Sequence, residues 1–413
     1  MARLTDWDDI ESGIFVGIAL SGGGSRAANF SAAVLSELQR YGFLQHATAL
    51  SSVSGGSLTA AYYGLHGQTE QWSADLRTKL RANFESLLIR RSLNPYIWVQ
   101  ILLTDFDRSD IMREVFDMIL FGRATFGEFR HSPRILINAT SHSRGGVPFI
   151  FTDENFAMLG SRLDAYPISS AVMASAAYPG AFSDVTLRNY AREKSGALIY
   201  EHLYDGGIND NLGITTLLKA VDRAEEEVGL RGCFLFVIDA QPRLTEQHES
   251  VIRGPEPQAL TVDPDSQPSS KLIRFLINPN ALHAADVLFQ RYHAYLLRDL
   301  GLNDTSSDPY QEITVARRLP LRLGSRITIP CNVWHISLAR LMTPSFADYQ
   351  SAIGSRVNRI PTRFTLVDSD GRTPEALQDL LYEAADLLVS KDRTAPLRQA
   401  CEWFTRHGLR VNC

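Results

Sequence analysis

Ser52-Val53-Ser54-Gly55-Gly56 is the stretch that decides how this chain is read. Ahead of it, Ala47 to Ser51 reads as the start of a short buried strand. Behind it, Ser57-Leu58-Thr59-Ala60-Ala61-Tyr62-Tyr63 reads as a helix. A serine at a sharp strand-to-helix turn has its hydroxyl lifted clear of the backbone. The helix that follows aims the positive end of its dipole at that hydroxyl, which favours an alkoxide or an oxyanion. Strand and helix pass closely there, so small residues are needed on both sides. Val53 apart, the turn holds only Ser and Gly.

Two further segments fall at strand ends. Ile14 to Leu20 is an apolar run that leads into Ser21-Gly22-Gly23-Gly24-Ser25-Arg26 and then a helical pattern from Ala27 to Tyr41. Three consecutive glycines let backbone N–H groups converge on an anion without interference from side chains. Much later, Ile199 to Tyr204 reads as a strand and is followed by Asp205-Gly206-Gly207. Candidate oxyanion donors Gly22, Gly23 and Gly24, nucleophile Ser54 and base Asp205 thus lie at strand ends of one α/β chain. Open α/β sheets bind ligands at that edge.

Each feature taken singly has an ordinary reading. Gly22-x-Gly24-x-x-Ala27 fits a dinucleotide fingerprint, but that motif also needs an acid at the end of the second strand, where Ser54 stands. Ser54 alone would be a helix N-cap, and Asp205-Gly206-Gly207 alone a turn. Ser57 competes as nucleophile, yet the elbow needs Gly two residues on: Ser54 has Gly56, whereas Ser57 has Thr59. The joint order of glycine loop, elbow and Asp-Gly-Gly outweighs these readings. His202, three residues before Asp205 on a strand, points to the opposite face and is expected to be structural.

This trio resembles the patatin-like phospholipase family, on Gly22-Gly23-Gly24-Ser25-Arg26, Ser52 to Gly56 and Asp205-Gly206-Gly207. The stretch Ala174-Ser175-Ala176-Ala177-Tyr178-Pro179-Gly180-Ala181-Phe182 is also similar to one in the family. The resemblance covers roughly residues 12 to 240. One departure is Ser52, where the family's elbow usually begins with Gly. The resemblance implies a three-layer α/β fold, with a mostly parallel central sheet and helices on both faces. It also implies a Ser–Asp dyad without histidine, cleaving carboxylic esters of phospholipids or related lipids through an acyl-serine. Gly56, Gly206, Gly207 and Arg26 would support the site. Arg26 would fix the loop or face an acidic group of the substrate, with a surface salt bridge as the alternative. No cofactor or metal is implied. The competing functions are a carboxylesterase of small soluble esters and a non-catalytic lipid-binding protein.

Composition agrees with an enzyme of this kind. The 413 residues are 45% hydrophobic and 21% charged, ordinary for a globular protein. A net charge of -5 argues against a dedicated nucleic-acid binder, which shows a basic excess. The four cysteines, Cys233, Cys331, Cys401 and Cys413, are far apart and lack metal spacing. Cys233 lies in an apolar run and reads as a buried core thiol, which points to a reducing compartment. The N-terminus lacks a secretory pattern and no run is long enough to cross a membrane. The expected location is therefore cytoplasmic, peripheral at membranes if the segment described next is exposed.

The chain reads as one α/β domain with a helical, cap-like insertion at 75–130 and a loop-and-helix insertion at 241–331. A C-terminal strand and helices at 332–413 would pack on the core. Arg243 to Lys271, rich in Pro, Ser and Asp, reads as an exposed loop. Thr373 looks like an N-cap with Pro374 at the first helical position. Leu87 to Leu103 is unusually apolar and carries two arginines and Trp98. Exposed, it would suit a membrane interface; buried, it is a core helix.

Overall fold

The computed structural model describes residues 7, 10, 13–129, 132–193, 199–241, 279–302, 310–314, 329–367, 372–391 and 396–413. Its centre is a mixed sheet: β1 (Ile14–Leu20), β2 (Ala49–Val53), β3 (Arg134–Ser141), β4 (Val147–Ile150), β5 (Val185–Arg188), β6 (Tyr200–Asp205), β7 (Gly232–Asp239), β8 (Tyr310–Thr314) and β9 (Pro330–Ser337). The order is β5-β6-β3-β2-β1-β7-β9-β8, with β4 also on β3. The five inner strands β3, β2, β1, β7 and β9 run parallel. Each strand outside them pairs antiparallel with its neighbour. β5 and β8 were not expected from the sequence.

Helices cover both faces, which is why β1, and β7 from Cys233 to Ile238, are apolar at successive rather than alternate positions. Val16, Ile18, Leu20, Phe234 and Phe236 join one core, shared with α1 (Gly24–Arg40), α2 (Gly55–His66) and the helices Pro374–Asp386 and Pro396–Arg406. Phe15, Ala19, Leu235 and Val237 turn the other way. They pack with Leu217 and Leu218 of the helix Ile214–Val228 and with Leu296 and Leu300 of the helix Pro279–Leu300. The result is the three-layer α/β architecture that the resemblance implied.

Between α2 and β3 come, among the described residues, four α-helices: α3 (Trp72–Lys79), α4 (Phe84–Ser92), α5 (Pro95–Leu103) and α6 (Arg108–Phe116). Asn94 caps α5 through Tyr96 N, with Pro95 in its first turn. Of α5, only Ile97 is buried. Trp98, Leu102 and Leu103 are 55%, 79% and 77% exposed. The apolar stretch is therefore largely a surface. Thr373 caps its helix as expected, accepting from Ala376 N. The polar stretch 243–271 lies outside the described residues.

The cysteines correct the sequence reading. Cys233 is bonded to Cys331, directly opposite it on the neighbouring strand β9, and Cys401 is bonded to Cys413. None is free. The argument for a reducing compartment rested on free thiols and falls with them; disulfides persist in oxidising surroundings. Among the described residues, no helix is long and apolar enough to cross a membrane.

Candidate active site

Strand register brings the site together. Leu20 of β1 lies beside Ser52 of β2, so the glycine loop leaves the sheet level with the elbow. Val53 of β2 lies beside Asn138 of β3, and the next residue, Ala139, pairs with Asp205 of β6. Ser54 and Asp205 thus stand one strand apart at the same height. Both are buried.

Ser54 has φ 50° and ψ -121°, a conformation a side chain rarely adopts. Contacts on all sides hold it there. Its N–H donates to Ser175 Oγ at 2.9 Å, and Ser175 in turn contacts Ser57 Oγ at 3.0 Å. Ser57 Oγ donates to Ser52 Oγ at 3.0 Å. The hydroxyl at position 52 is therefore part of the framework beneath the turn. Asn138 ties the same strand down, donating to Ser51 Oγ at 2.8 Å and to Ser52 O at 2.9 Å. Gly56 is required by close approach, since a β-carbon there would stand 2.6 Å from Ser21 O.

Ser54 and Asp205 line the same cavity, and the Asp205 carboxyl accepts from Gly207 N at 2.8 Å. Burial pushes Asp205 up to about 7, although the Gly207 N–H and the Ser54 side chain pull it down. A carboxyl that titrates near neutrality is a far better proton acceptor than an ordinary aspartate. The backbone of Asp205 is fixed by Ala177 O, at 3.0 Å from its N–H, and by the Thr140 hydroxyl on its carbonyl. Gly206 N donates to Ser175 O at 3.1 Å. His202 lies on the opposite face and pairs with Asp184, its Nδ1 2.5 Å from Asp184 Oδ2.

The glycine loop divides by role. Gly22 N–H, expected to face an oxyanion, instead donates to Asn211 O at 2.9 Å, which takes it out of that role. Among the described residues, the Gly23 and Gly24 amides make no backbone bond. Gly24 has φ 59° and lies against Arg363, whose carbonyl accepts from Ser25 N at 2.6 Å. Arg26 is buried rather than on the surface. Its Nε donates to Ala240 O at 2.9 Å, its Nη2 to Thr362 Oγ1 at 3.0 Å and its Nη1 to the Ile360 carbonyl. It braces the loop against a segment more than three hundred positions away.

The cavity beside Ser54 and Asp205 measures about 30 Å³ and is walled by Gly23, Tyr178, Asn211, Gln241, Phe289 and Thr362. Four of those walls, Asn211, Gln241, Phe289 and Thr362, carry no motif and were not anticipated from the sequence. Among the described residues no cluster of His, Cys, Asp and Glu suits a metal ion.

Residues 18–218 match the family model described as patatin-like phospholipase. They are a patatin-like phospholipase domain. All the motif residues of the candidate site, from Gly22 to Gly207, lie within the patatin-like domain, and Gln241, Phe289 and Thr362 lie beyond it. No match was found among curated proteins. Similar solved structures include human GIVD cytosolic phospholipase A2 in complex with methyl gamma-linolenyl fluorophosphonate inhibitor and terbium chloride. It is 15% identical with a TM-score of 0.46, over 97% of this chain and 61% of that one. A structure of the same human protein without those additions is 13% identical with a TM-score of 0.46, over 96% and 63%. VipD from Legionella pneumophila is 13% identical with a TM-score of 0.28, over 70% and 69%. The chain thus spans about 61% of the human phospholipase.

Proposed function

We propose that this chain hydrolyses carboxylic esters of phospholipids or related lipids, with Ser54 as nucleophile and Asp205 as general base. The observation that carries the reading is the strand register that sets Ser54 and the buried Asp205 carboxyl at the same height on one cavity. Ser54 Oγ attacks the ester carbonyl while its proton passes to Asp205. The Gly23 and Gly24 amides and the N-terminus of α2 receive the oxyanion. Asp205 returns the proton to the departing alcohol as the acyl-serine forms. Water then gives a proton to Asp205 and attacks the acyl carbon, and Ser54 leaves with that proton. Asn211, by occupying Gly22, and Arg26, by bracing the helix that follows the loop, keep the donors in place.

A lipid rather than a small soluble ester is favoured by the exposed apolar side of α5. Ile89 of α4 and Leu93, the residue after it, extend that surface. The exposed Arg90 sits beside it, suited to anionic headgroups. α4 reaches toward the glycine loop, because Glu85 accepts from Phe364 N at 3.2 Å, next to Arg363. Peripheral contact at this face would bring the site to the lipid layer.

The test is a fluorophosphonate probe, followed by intact mass and peptide mapping. One adduct on the peptide containing Ser54, with Ser54→Ala folded but unlabelled and inactive, is the expected result. Equal turnover by pure Ser54→Ala, or an adduct on Ser57, rejects the assignment. Activity on short esters that does not rise with vesicles would favour the soluble-ester enzyme instead.

A further inference from the structure

The Ser54 cavity is closed from one side by the helix Pro279–Leu300, which lies outside the patatin-like domain. Its free space beside Ser54 is small, about 30 Å³. An acyl chain needs far more room. Phe289 of that helix is what fills it. A β-carbon on Gly207 would stand 2.4 Å from Phe289 Cε1, and the Phe289 ring lies 5.1 Å from that of Tyr178. The ring therefore rests against Gly207, two residues after Asp205, and against Tyr178.

The helix is fastened one turn further on. His293, four residues after Phe289, lies on the same face. It is buried, with Nε2 3.2 Å from Asp239 Oδ2 at the end of β7. The same oxygen meets His335 Nε2 at 3.1 Å and the Ser337 hydroxyl at 3.4 Å, both on β9. The other carboxylate oxygen accepts from Gln241 N at 2.9 Å, and Gln241 is itself a wall of the cavity. Burial opposes the charge on Asp239, yet His293 and His335 hold its carboxyl far below the ordinary range. A buried charged cluster of this kind is costly to break from one side.

We infer that Phe289 is a specificity-determining residue that limits the length of acyl chain admitted to Ser54, and that the His293–Asp239 contact keeps it in position. This rests on the reading of Ser54 and Asp205 as the catalytic pair. Phe289 is half-buried, so truncating it opens up to about 150 Å³ beside Ser54, enough for several methylenes. Each methylene newly buried is worth about fourfold in kcat/KM.

The full chain, Phe289→Ala, Phe289→Leu and His293→Ala are compared on p-nitrophenyl acetate, butyrate, hexanoate and octanoate, with circular dichroism and fluorophosphonate labelling alongside. The ratio of kcat/KM for hexanoate to that for acetate is expected to rise about tenfold or more in Phe289→Ala. A smaller rise is expected in Phe289→Leu, which keeps the packing and removes only the far edge of the ring. His293→Ala shifts the ratio the same way by releasing the helix. If a folded Phe289 variant keeps the parent's chain-length profile while Ser54 is still labelled, the chain-length assignment is overturned and the catalytic pair stands. A shift in the Phe289 variants without one in His293→Ala overturns the fastening role alone. A parent that hydrolyses none of the esters and takes no label at Ser54 removes both readings.

Discussion

Asp205→Asn should make the protein more stable and nearly inactive, and the gain should grow with pH. Burial raises this carboxyl from 3.8 to about 7. In the unfolded chain it ionises near pH 4, so between about pH 4 and 7 the unfolded state has shed a proton that the folded state keeps. The stability of the unaltered protein therefore falls with rising pH across that window and levels off above it. At 1.36 kcal/mol per unit, the loss is roughly 1.5 kcal/mol at pH 5 and roughly 4 kcal/mol at pH 8.5. An asparagine has the same shape and never ionises. Its advantage over aspartate should thus widen by about 2.5 kcal/mol from pH 5 to pH 8.5. Constant effects of the substitution, such as an altered bond to Gly207, cancel in that difference. The assay is urea unfolding of both proteins at both pH values, followed by tryptophan fluorescence. Turnover at pH 8 should fall by about a hundredfold or more, the contribution of a general base. In the unaltered protein, kcat/KM should rise through an acid limb near pH 7 as Asp205 loses its proton. A stability gap that is flat or narrows with pH would refute the argument that a buried, reluctant carboxylate sits there.

The exposed face of α5 should matter for lipid and not for folding: Trp98→Ala with Leu102→Ser is expected to weaken vesicle binding and phospholipid hydrolysis while sparing a short soluble ester. A folded double mutant with unchanged vesicle binding would remove the membrane-contact reading. The purified chain, denatured without reductant, should take up no iodoacetamide, and reductant should expose four thiols. Opening the Cys233–Cys331 loop of 98 residues should cost up to about 4.7 kcal/mol in the chain-entropy account. Four reactive thiols before reduction would count against both bridges.

The chemistry-bearing turns could be read from the chain because their demands are local. An elbow at Ser54, three glycines before Arg26 and a strand-end Asp205 each need particular residues next to one another. The parallel core was legible for a related reason: a run such as Phe234 to Ile238 suits only a strand covered on both faces. What escaped depends on distant pairing. Nothing near Cys233 announces that Cys331 will lie across from it; that follows from β7 and β9 running parallel in one register. Phe289, Gln241 and Thr362 are ordinary residues until the sheet and its covering helices set them around one cavity. The edge strands β5 and β8, of four and five residues, are too short to impose a pattern. Leu87 to Leu103 was ambiguous because an apolar helix looks alike inside and outside a protein; only its packing, with Ile97 alone of α5 inward, separates the two.

The Arg26 brace has a consequence for biosynthesis. Its partners Ile360 and Thr362 follow it by 334 and 336 residues. At about 5–20 residues per second, the ribosome takes roughly 17 to 70 s to supply them. Through that interval the elbow and the glycine loop exist in the growing chain without the support that shapes them. A site built this way takes its final shape only after Thr362 has been made, however early its own motifs leave the ribosome.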